Sequence, residues 1–154
     1  MYWSPSFALW LLFSPKGRIG RAQWWAGIIL LLIISAPSIM TVFDEELARE
    51  YVIEIALFDL ATLYPGYALD AKRFHDRDRS GLWGMFAVVI ALFLIGFELL
   101  AFIDDCEFRE LEWACNGALL AVAVWYLIDL GCARGVTGPN RFGLDPISRG
   151  TAQS

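Results

Sequence analysis

The sequence predicts an all-α integral membrane protein: a single domain over 1–154 made of a four-transmembrane-helix bundle with a short interfacial N-terminal segment. Three observations carry this reading. Hydrophobic residues make up 58% of the chain and charged ones only 19%, against about 45–50% and about 25% in soluble domains. The excess apolar residues gather in four long stretches. The cations fall on alternate connections, with ten of the 12 Lys and Arg on one set and only Arg49 and Arg109 on the other.

Residues 6–13 are apolar but too few to cross a bilayer, which takes roughly 20 helical residues; Pro5 and Pro15 bracket them. Two readings fit: a segment lying in the interface with Trp3 and Trp10 at headgroup level, or a helix packed on the bundle. No basic residue precedes this run and no small-residue cleavage site follows it, so the first span is expected to stay in the mature protein. That span covers about 22–43, roughly 33 Å at 1.5 Å per residue. Trp24 and Trp25 mark one of its interfaces, and Pro37 is expected to bend it near the far end.

An acidic connection over 44–50 leads into a second span over about 51–70, less hydrophobic, with a Pro65-Gly66 pair. The stretch 72–81, KRFHDRDRSG, is the most charged in the chain and reads as a loop. The third span, about 82–103, is the cleanest. After the acidic 104–112 segment comes a fourth over about 113–132, and the tail 133–154 is polar and turn-rich. No internal repeat or heptad array is visible. Lys16, Arg18, Arg21, Lys72, Arg73, Arg77, Arg79, Arg134, Arg141 and Arg149 share one side, and the positive-inside rule makes that side, with both termini, cytoplasmic.

Three segments stand out by residue type and spacing: FSPKGRIGRAQWW (13–25), DAKRFHDRDRSGLW (70–83) and GVTGPNRFGLDP (135–146). Together they resemble the small bacterial inner-membrane proteins grouped as domain of unknown function 805. The matching positions are Gly17, Arg18, Arg21, Trp24 and Trp25; Arg73, His75, Asp76, Ser80, Gly81 and Trp83; and Gly138, Asn140, Arg141, Phe142, Gly143, Asp145 and Pro146. The resemblance runs from about residue 13 to 146 and departs in the long acidic 104–112 loop. It implies a multi-pass protein of the bacterial inner (plasma) membrane and supplies no catalytic residues.

Topology alone brings these three segments to one end of the bundle, as a candidate polar cluster of Arg18, Arg21, Arg73, His75, Asp76, Asn140, Arg141 and Asp145. Arg18 and Arg21, three apart, share a helix face near lipid phosphates. The alternating signs of Arg73, Asp76, Arg77, Asp78 and Arg79 admit three readings. They make a rigid self-paired connector, an anion or headgroup site using Arg73, Arg18 and Arg141, or a surface for a cytosolic protein. His75, the only histidine, is expected to hydrogen-bond Asp76 or the tail; with no second His or nearby Cys it makes no metal site. Phe142 is expected to anchor the tail, with Arg141 or Asp145 pairing to the 72–81 stretch. GRIGR and GVTG follow no strand and lack the Lys-Ser/Thr ending of a phosphate loop.

Four acids fall inside predicted spans: Glu54 and Glu98 near outer ends, Asp129 near the inner end beside Arg134, and Asp59 deeper. An acid inside a membrane is costly and calls for a partner or a function. For Asp59 the partners are Thr62, Asn116 or backbone; the other reading is a cation or proton path. Cys106 and Cys115 lie near the outer face, where a disulfide is permitted, and Cys132 is expected to be reduced. A net charge of −5 would argue against nucleic-acid binding in a soluble protein, but here acidic and basic residues occupy different segments and their distribution matters more; no nucleic-acid partner is expected. The chain therefore reads as a non-enzymatic membrane module without a cofactor. Its polar collar binds anionic lipid headgroups or a membrane partner, a second copy included. The alternative is a small oligomeric transporter or channel using Asp59 and Glu98.

Overall fold

The computed structural model describes residues 4–41, 45–104 and 109–146. These are almost wholly helical; an isolated antiparallel bridge between Asn140 and Gly143 is the extended pairing among them. The elements are α1 (Pro5–Phe13), α2 (Arg21–Ile34), α3 (Ala36–Thr41), α4 (Glu45–Glu50), α5 (Val52–Asp76), a 3-10 turn (Gly81–Gly84), α6 (Met85–Asp104), α7 (Arg109–Tyr126) and a π-helical turn (Leu127–Cys132) that extends α7.

Among the described residues, three helical stretches are long and apolar enough to cross a membrane: Val52–Asp76, Gly81–Leu100 and Trp113–Cys132. The expected first span is divided. α2 has 14 residues, roughly 21 Å at 1.5 Å per residue and short of a hydrocarbon core of about 30 Å. The chain turns at Ser35 and resumes as α3, with Pro37 in its first turn, where a missing amide does least harm.

The second helix departs from its expected bounds at the other end. α5 continues six residues past Asp70, through Lys72 and Arg73 to Asp76, so half of the charged stretch read as a loop is helix. It stops in a Schellman geometry: Asp78 N donates to His75 O at 3.0 Å and Arg79 N to Phe74 O at 2.9 Å. Asp78 takes the left-handed conformation this needs, φ 56°, which Asp tolerates better than most residues. Ser80 then caps the 3-10 turn, its Oγ accepting from Leu82 N at 3.3 Å.

α5 is the hub, packed against α1, α2, α6 and both short turns, while α6 also packs on α7. Helical spacing sorts its contacts. Tyr64 and Lys72, eight residues apart and so on one face, meet α1. There the Tyr64 hydroxyl donates to Phe13 O at 3.1 Å, and Lys72 Nζ donates to Trp10 O at 3.0 Å, Leu11 O and Ser14 O at 2.6 Å. A helix leaves its last four carbonyls without partners of its own, and a cation there also meets the negative end of the dipole. α5 thus closes the C-terminus of α1. At the opposite end of α1, Ser4 Oγ accepts from Phe7 N at 3.2 Å and Pro5 opens the helix. Leu11 is fully buried and Leu9 exposed, which makes 6–13 a helix with one packed side.

The core sits at one end of the bundle: Leu11, Ile19, Trp24, Leu69, Phe74, Tyr126 and Leu130. Trp24, expected at a lipid interface, is 2% exposed within it. Beside these lie five buried charged residues, Arg18, Asp70, Lys72, Arg73 and Asp76. Away from that end, α6 and α7 leave large apolar side chains uncovered, Phe93, Trp113 and Leu120 among them.

Candidate functional site

The buried charges converge where α2, α5 and the C-terminal end of α7 meet. Asp76, 4% exposed, is the centre. Arg18 Nε and Nη2 donate to its Oδ1 at 3.1 and 2.9 Å, and Arg73 Nη1 donates to Oδ2. Two guanidinium groups around one carboxylate leave an excess positive charge, which the backbone answers. Arg18 also donates to Val136 O at 2.6 Å, Gly138 O at 2.7 Å and Gly143 O at 3.3 Å. Arg73 donates to Leu130 O at 2.7 Å and Ala133 O at 2.6 Å.

A second pattern overlaps the first. The last backbone bond of the α7 extension runs from Ala133 N to Ile128 O, 3.2 Å. The next five carbonyls each accept from a side chain of another helix or its end. Asp129 O accepts from Arg77 Nη1 at 2.7 Å and Leu130 O from Arg73. Gly131 O accepts from Trp25 Nε1 at 3.2 Å, Cys132 O from Arg21 Nη1 at 3.1 Å, and Ala133 O again from Arg73. Arg73 and Arg77 are four apart on α5 and so reach the same target. Trp25 comes close enough that a Cβ on Gly131 would stand 2.8 Å from its ring.

The tail wraps the other side of Asp76. Val136 N donates to Asp76 O at 2.8 Å, and Gly135 lies so near that a Cβ there would overlap the Asp76 carboxylate. Asn140 Nδ2 donates to His75 O at 2.9 Å. His75 Nδ1 lies 3.1 Å from Gly17 O; a carbonyl only accepts, so Nδ1 carries the proton. The His75 ring stacks on Phe142 with centroids 3.9 Å apart and planes 8° from parallel, and Arg141 lies over the same ring at 4.7 Å. Arg141 also holds Asp78, through its carboxylate at 3.2 Å and its carbonyl at 2.8 Å. Asp145 Oδ2 accepts from Gly138 N at 3.0 Å, inside the tail turn.

All eight residues of the expected polar cluster therefore lie at this end. Arg18, Arg73 and Asp76 form its buried centre; Arg21, His75, Asn140, Arg141 and Asp145 surround it. Several pairings differ from expectation. The 72–81 stretch is not self-paired beyond Arg73 and Asp76, because Arg77 and Arg79 turn to Asp129, at 3.0 and 2.9 Å. Asp129 thus pairs with α5 and its following turn rather than with neighbouring Arg134. His75 faces Gly17, not Asp76. All three guanidinium nitrogens of Arg18 and of Arg73 have internal partners, which closes these two to an outside anion.

Asp70 and Lys72 were not singled out from the sequence. Trp24 Nε1 donates to Asp70 Oδ1 at 2.9 Å, joining α2 to α5. Asp59 is half-buried and accepts from Ser38 Oγ at 2.8 Å, while Thr62 Oγ1 bonds its backbone carbonyl instead of its carboxylate. Glu98 lies on an exposed face of α6. The Cys106–Cys115 disulfide that their position permits lies outside the described residues, since Cys106 is not among them.

Removing one partner of a buried ion pair costs about 3–5 kcal/mol, whereas an exposed pair is worth about 0–1. Asp76→Asn is therefore expected to lower apparent thermal stability in mild detergent more than Asp129→Asn, whose carboxylate is 14% exposed and whose partners Arg77 and Arg79 are 18% and 43% exposed. Gly135→Ala, which changes no charge, is expected to match Asp76→Asn. Equal losses for the two aspartates, or a silent Gly135→Ala, would contradict this geometry.

A family model described as a protein of unknown function, DUF805, matches residues 12–144. The chain is similar to the uncharacterized protein YiiR of Escherichia coli strain K12, 32% identical over 144 residues covering 87% of this chain and 86% of that one. It is similar to the inner membrane protein YhaI of the same strain, 30% identical over 131 residues covering 85% and 84%. The inner membrane protein YhaH is 25% identical over 135 residues, 85% of each chain. No solved structure matches. The matched residues take in the Arg18–Asp76–Arg73 triad and every one of the five capped carbonyls, and this chain belongs to the DUF805 family.

Proposed function

We propose that this protein is a multi-pass inner-membrane module with both termini on the cytoplasmic side, and that the basic rim around its polar clasp binds anionic lipid headgroups. It carries out no catalysis in this reading. The observation behind it is inverted burial. Five charged residues are packed inside one end, while Phe93 and Leu120, 59% and 66% exposed, stand uncovered on α6 and α7. Lipid as the surrounding solvent accounts for both halves of that pattern. Relatives bearing the name inner membrane protein support the same placement.

α2 and α3 together make the fourth crossing. From Arg21 to Thr41 the pair spans 21 residues, roughly 30 Å along a helical path, and Ser35 and Pro37 supply the bend. An even number of crossings leaves both termini on one side. The excess of basic residues in the connections on that side supports a cytoplasmic placement.

Because Arg18 and Arg73 are fully engaged, headgroups meet the exposed cations instead. Lys16, Arg21, Arg134 and Arg141 are exposed at this end. Each basic residue at an anionic surface contributes about 1 kcal/mol. The charged centre is occupied by structural hydrogen bonds.

Two measurements test the reading. With native cysteines replaced, an impermeant thiol reagent added to spheroplasts is expected to label Glu46→Cys and spare Ser148→Cys; the reverse pattern would overturn the orientation. Native mass spectrometry from mild detergent is expected to show retained phosphatidylglycerol in preference to phosphatidylethanolamine, and Lys16→Gln with Arg134→Gln is expected to abolish that preference. Equal retention of both lipids by the unaltered protein would overturn the headgroup role.

A further inference from the structure

Beside the clasp, a second pair of arginines shares a carboxylate on different terms. Arg77 Nη1 lies 3.0 Å from one oxygen of Asp129, and Arg79 Nη1 lies 2.9 Å from the other. Two guanidinium groups on one carboxylate again leave one positive charge over. Around Asp76 that excess is answered by five backbone carbonyls. Around Asp129, among the described residues, it is answered by Asp129 O alone, 2.7 Å from Arg77 Nη1. Arg77 Nε is buried without an acceptor, and Arg77 Nη2, Arg79 Nε and Arg79 Nη2 meet none among the described residues. Asp78, which stands between the two arginines in the chain, is held by Arg141. This cluster therefore has both a charge and donors to give to an outside acceptor.

About one turn away the chemistry changes from charged to aromatic. Trp125 precedes Asp129 by four residues on the last helix, and Trp83 follows Arg79 by four in the 3-10 turn. Four helical residues rise roughly 6 Å. The two indoles meet edge to face with centroids 5.8 Å apart, and Phe86 adjoins Trp83 at 5.7 Å and Trp125 at 6.4 Å. Trp24 and Trp25 spend their indole N–H groups on Asp70 and Gly131. Those of Trp83 and Trp125 meet no acceptor among the described residues. Trp83 and Phe86 are 45% and 52% exposed, so this aromatic group is open to its surroundings. Tryptophan in such a position belongs at the headgroup level of a bilayer. From the end of the bundle inward, the order is guanidinium, indole N–H, bare ring.

We infer that Arg77 and Arg79 bind the phosphate of one phospholipid per chain, with Trp83 and Trp125 at its ester linkages and Phe86 along the start of its acyl chain. A phosphodiester carries one negative charge, which equals the excess on the arginine pair, and guanidinium groups match phosphate oxygens in geometry. Ester carbonyls only accept hydrogen bonds and indole N–H groups only donate. The acyl chain asks only for an apolar surface. A phospholipid presents these three parts in the order in which the protein presents their counterparts. The inference rests on the membrane reading and adds to it a defined site, separate from the rim of Lys16, Arg21, Arg134 and Arg141. Phosphate and esters are common to ethanolamine and glycerol lipids, so this site accepts both, whereas the rim prefers the anionic one.

Native mass spectrometry tests this on the full-length protein, delipidated in mild detergent and then supplied with one defined lipid at a time. Phosphatidylethanolamine and phosphatidylglycerol are each expected to leave one tightly held molecule per chain. Diacylglycerol, which keeps the esters and chains but lacks the phosphate, is expected not to be held. Arg79→Gln is expected to weaken the bound phospholipid at least about tenfold, equivalent to about 1.4 kcal/mol. Trp83→Phe, which keeps a ring and removes the N–H, is expected to weaken it about threefold. Arg49→Gln, on α4 and outside the site, is expected to change nothing. Arg79 and Trp83 are 43% and 45% exposed, so both variants are expected to fold, and an unchanged thermal transition without lipid verifies that. An excess of inorganic phosphate is expected not to displace the lipid; displacement would identify a site for a soluble anion and overturn the inference. Diacylglycerol held as firmly as phospholipid would reduce the site to an apolar surface and overturn it too. So would no retained phospholipid, or unchanged affinity in Arg79→Gln or in Trp83→Phe. Equal retention of the two phospholipids would overturn the rim's preference while supporting this site.

Discussion

The carbonyls of residues 129–133 lie beyond the last backbone hydrogen bond of the final helix, at the negative end of its dipole and against the packed core. A buried carbonyl left without a donor costs about 1–3 kcal/mol; that holds in full for Leu130 O and in part for the part-buried carbonyls of Asp129, Gly131 and Ala133, so this helix end is stabilised by the donors brought to it. Its donors come from Arg21 and Trp25 on α2 and from Arg73 and Arg77 at the end of α5. The end of the last helix is thereby completed only when the first two long segments are in place. Asp76 then makes the arrangement affordable, by balancing the guanidinium groups of Arg18 and Arg73 where water is excluded.

The same logic explains why so many cations sit at one end. Lys72 closes α1, Arg73 and Arg77 close α7, and Arg18 draws three tail carbonyls around Asp76. Five of the basic residues on that side of the sequence, Arg18, Arg21, Lys72, Arg73 and Arg77, are in the folded chain donors to carbonyls at helix ends or in the tail. Water would solvate those ends elsewhere on a soluble protein. Beside a bilayer the number of water contacts is limited, and side chains supply what water otherwise would. The exposed apolar faces of α6 and α7 are the complement of this arrangement: the lipid-facing part needs little internal packing because its solvent is itself apolar.

Helical class, long apolar segments and the convergence of three polar motifs were legible in the sequence, since hydropathy and alternation of basic loops report them directly. The helix ends were not. α5 was expected to stop at Asp70 because hydropathy falls there, yet Lys72 and Arg73 are fully buried. A hydropathy reading assigns charge to solvent, and here charge is turned inward onto carbonyls. The four-residue spacing of Arg73 and Arg77 was the available signal for a continuing helix, read instead as alternating loop charges. Likewise Trp24 looked like an interface marker, while its indole N–H is used on Asp70 within the core. The break at Ser35 was half legible: Pro37 announced a bend, but nothing local fixed its place two residues earlier. Partner choice for Asp129 and Asp59 depended on which helices lie side by side, which residue order does not state.

The account rests on Arg18 and Asp76, 58 positions apart, being energetically coupled rather than merely adjacent. A double-mutant cycle measures that coupling directly: Arg18→Met, Asp76→Leu and the pair together, compared by reversible unfolding in one detergent. A coupling of about 1.5–3 kcal/mol is predicted, as for hydrogen bonds to charged groups in a dry site, with the double variant more stable than the sum of the single losses implies. Additivity within about 0.5 kcal/mol would mean that the two side chains act independently, and the clasp would lose its role as the closure of the fold.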